Sequence, residues 1–396
     1  MRIGIYGGTY NPVHKGHISA ALGAIEHLKL DKLIFMPAGT PPHKPLSGTA
    51  DRHRLAMLQL AVENMRRTDV EVSTLEMERE GKSYSVDTVR HFRESNPDDE
   101  LFLLMGTDML ESFLQWYQPE EILKYVTIGA FGRNDEDSAE SLQAAAERIR
   151  AAIPCAKVET FVNPYLIELS STDVREALAK GGGEAMLDPA VYGYILREKL
   201  YGTKADLKHL SLDELRPVAL SYLKGKRVPH VLGTEETAEQ LAKRYGADSV
   251  LARRAALLHD CTKRLSMEQQ LALAKQYGIA LDDMERTTLK LQHAKTGAAI
   301  AEHIFGECSE VVQAIRWHTT GKANMTTLEK VIYLADYIEP TRDFPGLAEL
   351  RETAKLDLDR AVLLGLIMTK EEMKEWGEPL HPDTETALAC LKGTLA

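Results

Sequence analysis

The sequence predicts an α/β doubly wound parallel sheet in its first half and an all-α region in its second. Two patterns carry this. In the first half, short apolar β-branched runs alternate with amphipathic stretches, as strands joined by crossover helices do. In the second half, apolar residues recur with a 3.6-residue period and β-branched runs are few. The 396 residues suffice for two domains.

Residues 1–6 (MRIGIY) form the first strand and run into GGTYNPVHKGH, residues 7–17. Gly7 and Gly8 permit a tight turn with backbone close to a ligand. Asn11-Pro12 opens the next helix, on which His14 and His17 share a face. Gly16 between them leaves room for something large. A strand, a glycine turn and a helix N-terminus with two imidazoles make a polyphosphate cradle. The glycine spacing is not that of the dinucleotide fingerprint.

Residues 32–37 (KLIFMP) read as a second strand whose carboxyl end meets a loop carrying His43 and Lys44, where such sheets bind ligands. An amphipathic helix over 52–63, a strand at 70–72 and a helix opened by Asp87-Thr88 follow. A fourth strand at 100–105 ends on Gly106-Thr107-Asp108, an acid well placed for ribose hydroxyls or a base. Phe113, Trp116 and Tyr117 have helical spacing. Residues 126–131 and 157–162 give two more strands, and 133–140 reads as an exposed polar loop. Ser170, Ser171 or Thr172 caps a helix begun at Asp173, a second anion site with Arg175 as charged donor. Gly181-Gly182-Gly183 is a break, 189–200 a closing helix, and 201–210 is polar and patternless. The expected division is 1–202, a linker over 203–210, and 211–396.

Bulk properties narrow the partners. A net charge of −11 argues against broad nucleic-acid binding but not against free nucleotides. No signal peptide or bilayer-spanning stretch is evident, and Cys155, Cys261, Cys308 and Cys390 are isolated. The expectation is a cytoplasmic protein without membrane partners.

The motifs GGTYNPVHKGH, PPHK, RHRLAML, GKSYSVDT, MGTDMLESFLQWY and LSSTDVR resemble bacterial nicotinate-nucleotide adenylyltransferase over about residues 1–202. The resemblance implies a Rossmann-like nucleotidyltransferase that joins nicotinate mononucleotide to the AMP part of ATP and releases pyrophosphate. In its terms Gly7, Gly8, Thr9, His14, His17, Gly106, Ser171, Thr172 and Arg175 bind ATP, and Asp108 holds the adenosine side. His14, His17, Arg175 and Lys44 serve catalysis, with Mg²⁺ entering on ATP. Tyr10, Asn11, Ser85, Trp116 and Tyr117 bind the nicotinate nucleotide. The attacking group is already an anionic phosphate, so positioning and charge stabilisation suffice without a general base.

In the second half, His259-Asp260 adjoin in an apolar context, and a buried carboxylate needs a partner that a metal can supply. The order His230, His259-Asp260, His293, His318, Asp336 matches the HD superfamily of metal-dependent phosphohydrolases. In those terms His230, His259, Asp260 and Asp336 form a minimal site. His293 and His318 serve a second ion, with Asp260 able to bridge. Such a mixed set suits Fe, Mn, Co or Zn better than Mg. The segments KRVPHVLGTEETAEQLA, ALLHDCTKRLS, HAKTGAAIAE and WHTTGKANMTTLEKVIYLADYIEPTR resemble the HD-domain symmetrical dinucleoside-tetraphosphate hydrolases over about residues 210–390. That family splits diadenosine tetraphosphate into two ADP, and Lys263 and Arg342 become substrate contacts. The chain then reads as a fusion of two enzymes, with homo-oligomers open to it. Two other readings of the second half are a hydrolase for another nucleotide and a metal-stabilised nucleotide sensor.

Overall fold

The computed structural model describes residues 1–39, 49–132 and 136–395, the side chains of 136–138 excepted. The chain divides into two compact units. One comprises Met1–Val191 with Leu200–Thr203, the other Tyr192–Lys199 with Lys204–Ala396.

In the first unit six strands form one parallel sheet: β1 (Arg2–Gly8), β2 (Lys32–Pro37), β3 (Val70–Val72), β4 (Glu100–Gly106), β5 (Thr127–Gly132) and β6 (Val158–Val162). Their order is β3-β2-β1-β4-β5-β6. The chain therefore winds outward from β1 in one direction and then from β4 in the other. The crevice beyond the carboxyl ends of β1 and β4 is the switch point, where such sheets bind ligands. Alternation sends Ile3, Ile5, Leu101, Leu103, Met105, Ile128 and Ala130 into one core face with Val86, Val89, Ile122, Leu142 and Ile149.

The helices of this unit are α1 (Lys15–His27), α2 (Asp51–Met65), α3 (Leu75–Glu78), α4 (Ser85–Ser95), α5 (Thr107–Ser112), α6 (Pro119–Tyr125), α7 (Glu136–Ala152) and α8 (Ser171–Ala179). Next comes α9 (Pro189–Arg197), whose residues from Tyr192 onward belong to the second unit.

Three local expectations need correction. Residues 136–140, read as loop, are the first turns of α7. The apolar rhythm of that helix begins only at Leu142 and continues through Ala145, Ala146 and Ile149, while acidic residues at its start suit a helix N-terminus. The helix expected from Asp87 begins at Ser85. The three aromatics do not share a helix: a 3₁₀ turn ends at Gln115 and Trp116 is extended.

The second unit is helical: α10 (Leu212–Leu220), α11 (Val228–Tyr245), α12 (Ser249–Leu258), α13 (Met267–Gln276), α14 (Asp283–Thr287), α15 (Leu289–His303), α16 (Ser309–Trp317), α17 (Thr327–Ile338), α18 (Leu347–Leu356), α19 (Leu358–Trp376) and α20 (Pro382–Leu395). The residues expected as a linker include a 3₁₀ turn, Leu207–His209, capped by Asp206. Helix α11 packs on α12 and α17, and α16 packs on α12, α15 and α17. Capping boxes start α10, α13, α14 and α17, each satisfying two amides that would otherwise be orphaned. No helix among the described residues is long and apolar enough to cross a membrane.

Candidate active sites

The first site grows from the turn after β1. Gly7 and Thr9 are exposed there, whereas Asn11 and His14 are buried. Tyr10 has φ 47, and its ring is fully buried with its hydroxyl donating to Tyr6 O at 2.6 Å. The whole residue is 0% exposed, so the expected contact of Tyr10 with the nicotinate nucleotide is not presented by its ring. His14 is the N-cap of α1, and its N–H donates to His17 Nδ1 at 3.2 Å. The two rings lie 3.7 Å apart, centroid to centroid. With Nδ1 accepting, a neutral His17 carries its proton on Nε2 and can donate there. The Nδ1 of His14 is buried without a hydrogen-bond partner among the described residues. Burial lowers the His14 pKa to about 4 and that of His17 well below its usual value. Both imidazoles are therefore neutral near pH 7, and positive charge must come from elsewhere.

Arg175 supplies it. Its Nη1 donates to Asn11 O at 2.7 Å and its Nη2 to Thr172 Oγ1 at 3.0 Å. Ser171 Oγ donates to Pro12 O at 3.0 Å, and Ser170 caps α8 by accepting from Asp173 N–H. The amino end of α8 is thus bound to the turn after β1, and backbone N–H groups of two helix starts serve one place. The space expected at Gly16 is filled by the chain itself. A Cβ there would lie 2.6 Å from Ile167 O and 3.0 Å from His14 Nδ1, so glycine serves close packing.

Gly106 ends β4 across the switch point, and Asp108 is exposed in the first turn of α5. Ser85 starts α4. Trp116 is half-buried against Phe113, with centroids 5.4 Å apart, while Tyr117 is exposed beside Tyr84 at 4.6 Å. The segment before Ser85 is tied down by Thr88 Oγ1 donating to Glu76 at 2.7 Å and Arg79 donating to Ser83 at 2.7 Å. Lys44, expected in catalysis, and His43 lie outside the described residues.

Arg54 was not singled out by the sequence. It is fully buried and donates to Thr9 O and Ala38 O, both at 2.7 Å, and to Asp51 at 2.9 Å. It ties the turn after β1 to the end of β2. Its signal is an arginine on the apolar face of α2, where a charge needs partners.

The second site draws six side chains from five helical regions. His230 lies in the first turns of α11, His293 in the second turn of α15 and Asp336 near the end of α17. His259 and Asp260 follow α12, which stops at Leu258, and His318 follows α16. His259 and Asp260 are fully buried, His293 and His318 nearly so. Helix carboxyl ends carry partial negative charge, which favours a cation at His259 and His318.

The histidines share one device. Nδ1 of His259, His293 and His318 donates to the carbonyls of Ala256, Lys290 and Ile315 at 2.6, 2.8 and 2.7 Å. Nδ1 of His230 meets Glu339 Oε1 at 2.9 Å. A neutral ring then keeps a lone pair on Nε2, with Lys263 Nζ 3.3 Å from that of His293 and Thr319 Oγ1 3.3 Å from that of His318. These nitrogens converge: His230 and His259 face each other at 3.4 Å, His293 and His318 at 3.0 Å. Facing lone pairs repel unless a cation lies between them. Ligand atoms bonded to one ion are about 3.0–3.4 Å apart. The donor set therefore fits metal.

Asp260 joins the two pairs. Its Oδ2 is 3.4 Å from His259 and its Oδ1 is 3.2 Å from His293. Oδ1 is buried and accepts no well-aligned hydrogen bond among the described residues. Asp336 Oδ1 is 3.0 Å from His230 and 3.8 Å from His259. Burial opposes charge on both carboxyls. Even so, His259 and Lys263 hold Asp260 well below the usual range, and His230, His259 and Arg342 do so for Asp336. Burial also opposes a proton on His259, yet the two carboxylates raise its pKa, a measure of how strongly the place attracts positive charge. Burial lowers His293 and His318, keeping them neutral as ligands must be.

Three cations border this centre. Lys263 is 3.2 Å from Asp260 Oδ1, Arg342 is 2.7 Å from Asp336 Oδ1, and Arg227 Nε is 2.5 Å from Asp260 Oδ2. Arg227 and Glu339 were missed in the sequence. Each sits three residues from a ligand, Arg227 before His230 and Glu339 after Asp336, the spacing that would have found them.

Comparison with known proteins finds a separate set of relatives for each half. Residues 5–177 match the cytidylyltransferase-like family and residues 227–341 the HD domain. A probable nicotinate-nucleotide adenylyltransferase of a Synechococcus species is 40% identical over 205 residues, 50% of this chain and 94% of the relative. A symmetrical bis(5'-nucleosyl)-tetraphosphatase of Halalkalibacterium halodurans is 41% identical over 164 residues, 41% of this chain and 87% of the relative. A solved HD superfamily hydrolase of Clostridium acetobutylicum, described as involved in NAD metabolism, is 38% identical. The match covers 47% of this chain and 98% of that one, with a TM-score of 0.45. The chain belongs through its N-terminal half to the nicotinate-nucleotide adenylyltransferase family and through its C-terminal half to the HD-domain family that includes the symmetrical tetraphosphatases.

Proposed function

We propose a bifunctional enzyme, with adenylyl transfer carried by residues 1–202 and phosphohydrolysis by residues 211–396. In the first reaction a phosphate oxygen of nicotinate mononucleotide attacks the α-phosphorus of ATP. The bond to the β-phosphate oxygen breaks, giving deamido-NAD and pyrophosphate. Mg²⁺ enters as part of the ATP substrate. The neutral His14 and His17 donate hydrogen bonds to phosphate oxygens, and Arg175 carries the fixed positive charge. Gly7, Gly8 and Thr9 bring backbone to the phosphates, while Gly106 and Asp108 serve the adenosine side. Ser171 and Thr172 complete the phosphate end. Ser85, Trp116 and Tyr117 take the pyridine nucleotide, with Asn11 beside them, and Lys44 adds charge.

In the second reaction water splits the central phosphoanhydride of diadenosine tetraphosphate, giving two ADP. His230, His259, Asp260 and Asp336 would hold one ion, and His293, His318 and Asp260 a second. When bound, such ions supply an activated water and neutralise phosphate charge. The chain's own part is to hold each Nδ1 so that Nε2 points inward, and to present Lys263, Arg342 and Arg227 to substrate phosphates. The observation that carries this reading is the two pairs of facing imidazole nitrogens, His230 with His259 and His293 with His318, on either side of Asp260.

Product analysis tests both halves. Full-length protein with ATP and nicotinate mononucleotide should yield deamido-NAD and pyrophosphate in equal amounts. With diadenosine tetraphosphate and Mn²⁺, Co²⁺ or anaerobic Fe²⁺ it should yield ADP alone. ATP plus AMP would refute symmetrical cleavage. No cleavage with any metal would favour a nucleotide-sensing module.

A further inference from the structure

The Asn11-Pro12 step of the first site is held from two directions. Helix α8 grips its backbone, through Arg175 on Asn11 O and Ser171 on Pro12 O. From the other direction Tyr201 Oη donates to Asn11 Oδ1 at 2.5 Å, a contact between residues 190 apart in sequence. Asn11 is 5% exposed and Tyr201 is half-buried, so this hydrogen bond is partly shielded from water. His14, the N-cap of α1, stands three residues further on.

Tyr201 reaches Asn11 from an unusual backbone. Its φ of 54 and ψ of 30 lie in the left-handed region that bulky residues rarely occupy. Leu200 O closes the turn, accepting from Thr203 N–H at 3.1 Å and Thr203 Oγ1 at 2.9 Å. Tyr10, beside Asn11, also has positive φ. Left-handed tyrosines on both sides of one partly buried hydrogen bond persist only where surrounding contacts dictate them. Leu200–Thr203 belong to the first unit, while the chain immediately before and after them belongs to the second. The segment therefore returns to the first unit for four residues, and its side-chain bond falls on the turn whose Asn11 O accepts from Arg175.

We infer that Tyr201 is a positioning residue for adenylyl transfer. Its hydroxyl fixes Asn11, and Asn11 O in turn orients the Arg175 guanidinium and the start of α1. The inference rests on the transferase reading above, and Tyr201 itself touches no reacting atom.

The test is Tyr201→Phe in the full chain, which keeps the ring and removes Oη. A slightly misplaced charge costs turnover more than binding. The expected result is a kcat for deamido-NAD formation lower by on the order of tenfold, with KM for nicotinate mononucleotide within about twofold. Hydrolysis by the same preparation should be unchanged. Amide exchange of residues 11–17 should quicken by a similar factor. Asn11→Ala should show the same kcat loss, and adding Tyr201→Phe to it should cost nothing more. Unchanged kcat and exchange in Tyr201→Phe, additive losses in the double variant, or an equal fall in both activities would each overturn the inference. A wild-type chain that makes no deamido-NAD would instead overturn the transferase reading, and the exchange measurement would still decide whether Tyr201 holds the turn.

Discussion

On the proposed function, the two sites approach phosphate chemistry in opposite ways. In the first unit, most of the candidate phosphate cradle is one contiguous stretch, a strand end, a turn and a helix start, with two neutral imidazoles, His14 buried and His17 partly so. Backbone N–H groups do much of the work, and few charges are needed. The second site gathers ligands from position 230 to position 336, five helical regions whose termini bring carboxylates and bare imidazole nitrogens together. Such a cluster is unfavourable until a cation neutralises it. A local cradle tolerates change in distant helices. A dispersed centre depends on the packing of all five.

The largest expected effect falls on the residue the two metal subsites share. Asp260→Asn should lower hydrolysis by on the order of a thousandfold or more. It should also reduce bound metal, read by elemental analysis, from two ions to one or none. Retention of both ions would remove Asp260 from the bridging position.

Arg54→Met tests the local site by its support. Two carbonyls, Thr9 O and Ala38 O, would lose a charged donor, at about 1–3 kcal/mol each. Thermal unfolding of the first unit should shift down accordingly, and an unshifted transition would show that Arg54 does not tie the turn to β2. Arg175→Ala should lower kcat/KM for adenylyl transfer by on the order of a hundredfold and leave hydrolysis unchanged. Loss of less than about fivefold would place the charge elsewhere.

The smallest effect is an absence of titration. The folded pKa of His14 is about 4, against 6.5 unperturbed. The unfolded chain therefore takes up this proton first as the pH falls. The stability contributed by the neutral form is full above pH 6.5 and is lost as the pH falls through 4. Imidazole Cε1 proton shifts of His14 and His17 should stay constant from about pH 8 to about pH 5.5. An inflection near pH 6.5 would mean that these rings are open to water.

The same contrast governs what was legible in the sequence. Strand β2 falls where its apolar run puts it, because a buried parallel strand must be continuously apolar between turn residues, whereas β3 is a short edge strand, Val-Glu-Val, with Glu71 exposed. The first site was readable because its residues adjoin, and the second because His and Asp in ordered succession at helix ends are rare without a metal. What escaped notice depends on tertiary contacts. The start of α7 is too polar to show a period, and the Tyr10 ring turns inward because its backbone is left-handed. The space at Gly16 is filled by Ile167 O, about 150 residues away in sequence. Arg54 and Glu339 matter through what they touch, and single positions carry no sign of that.

The central claim is that one chain holds two self-sufficient sites, one local and one dispersed. The most direct measurement is to assay both reactions on one preparation of His259→Ala beside the unaltered chain. The account predicts that ADP release from diadenosine tetraphosphate is abolished while deamido-NAD formation stays within about twofold. Loss of both activities, or survival of ADP release, would contradict it.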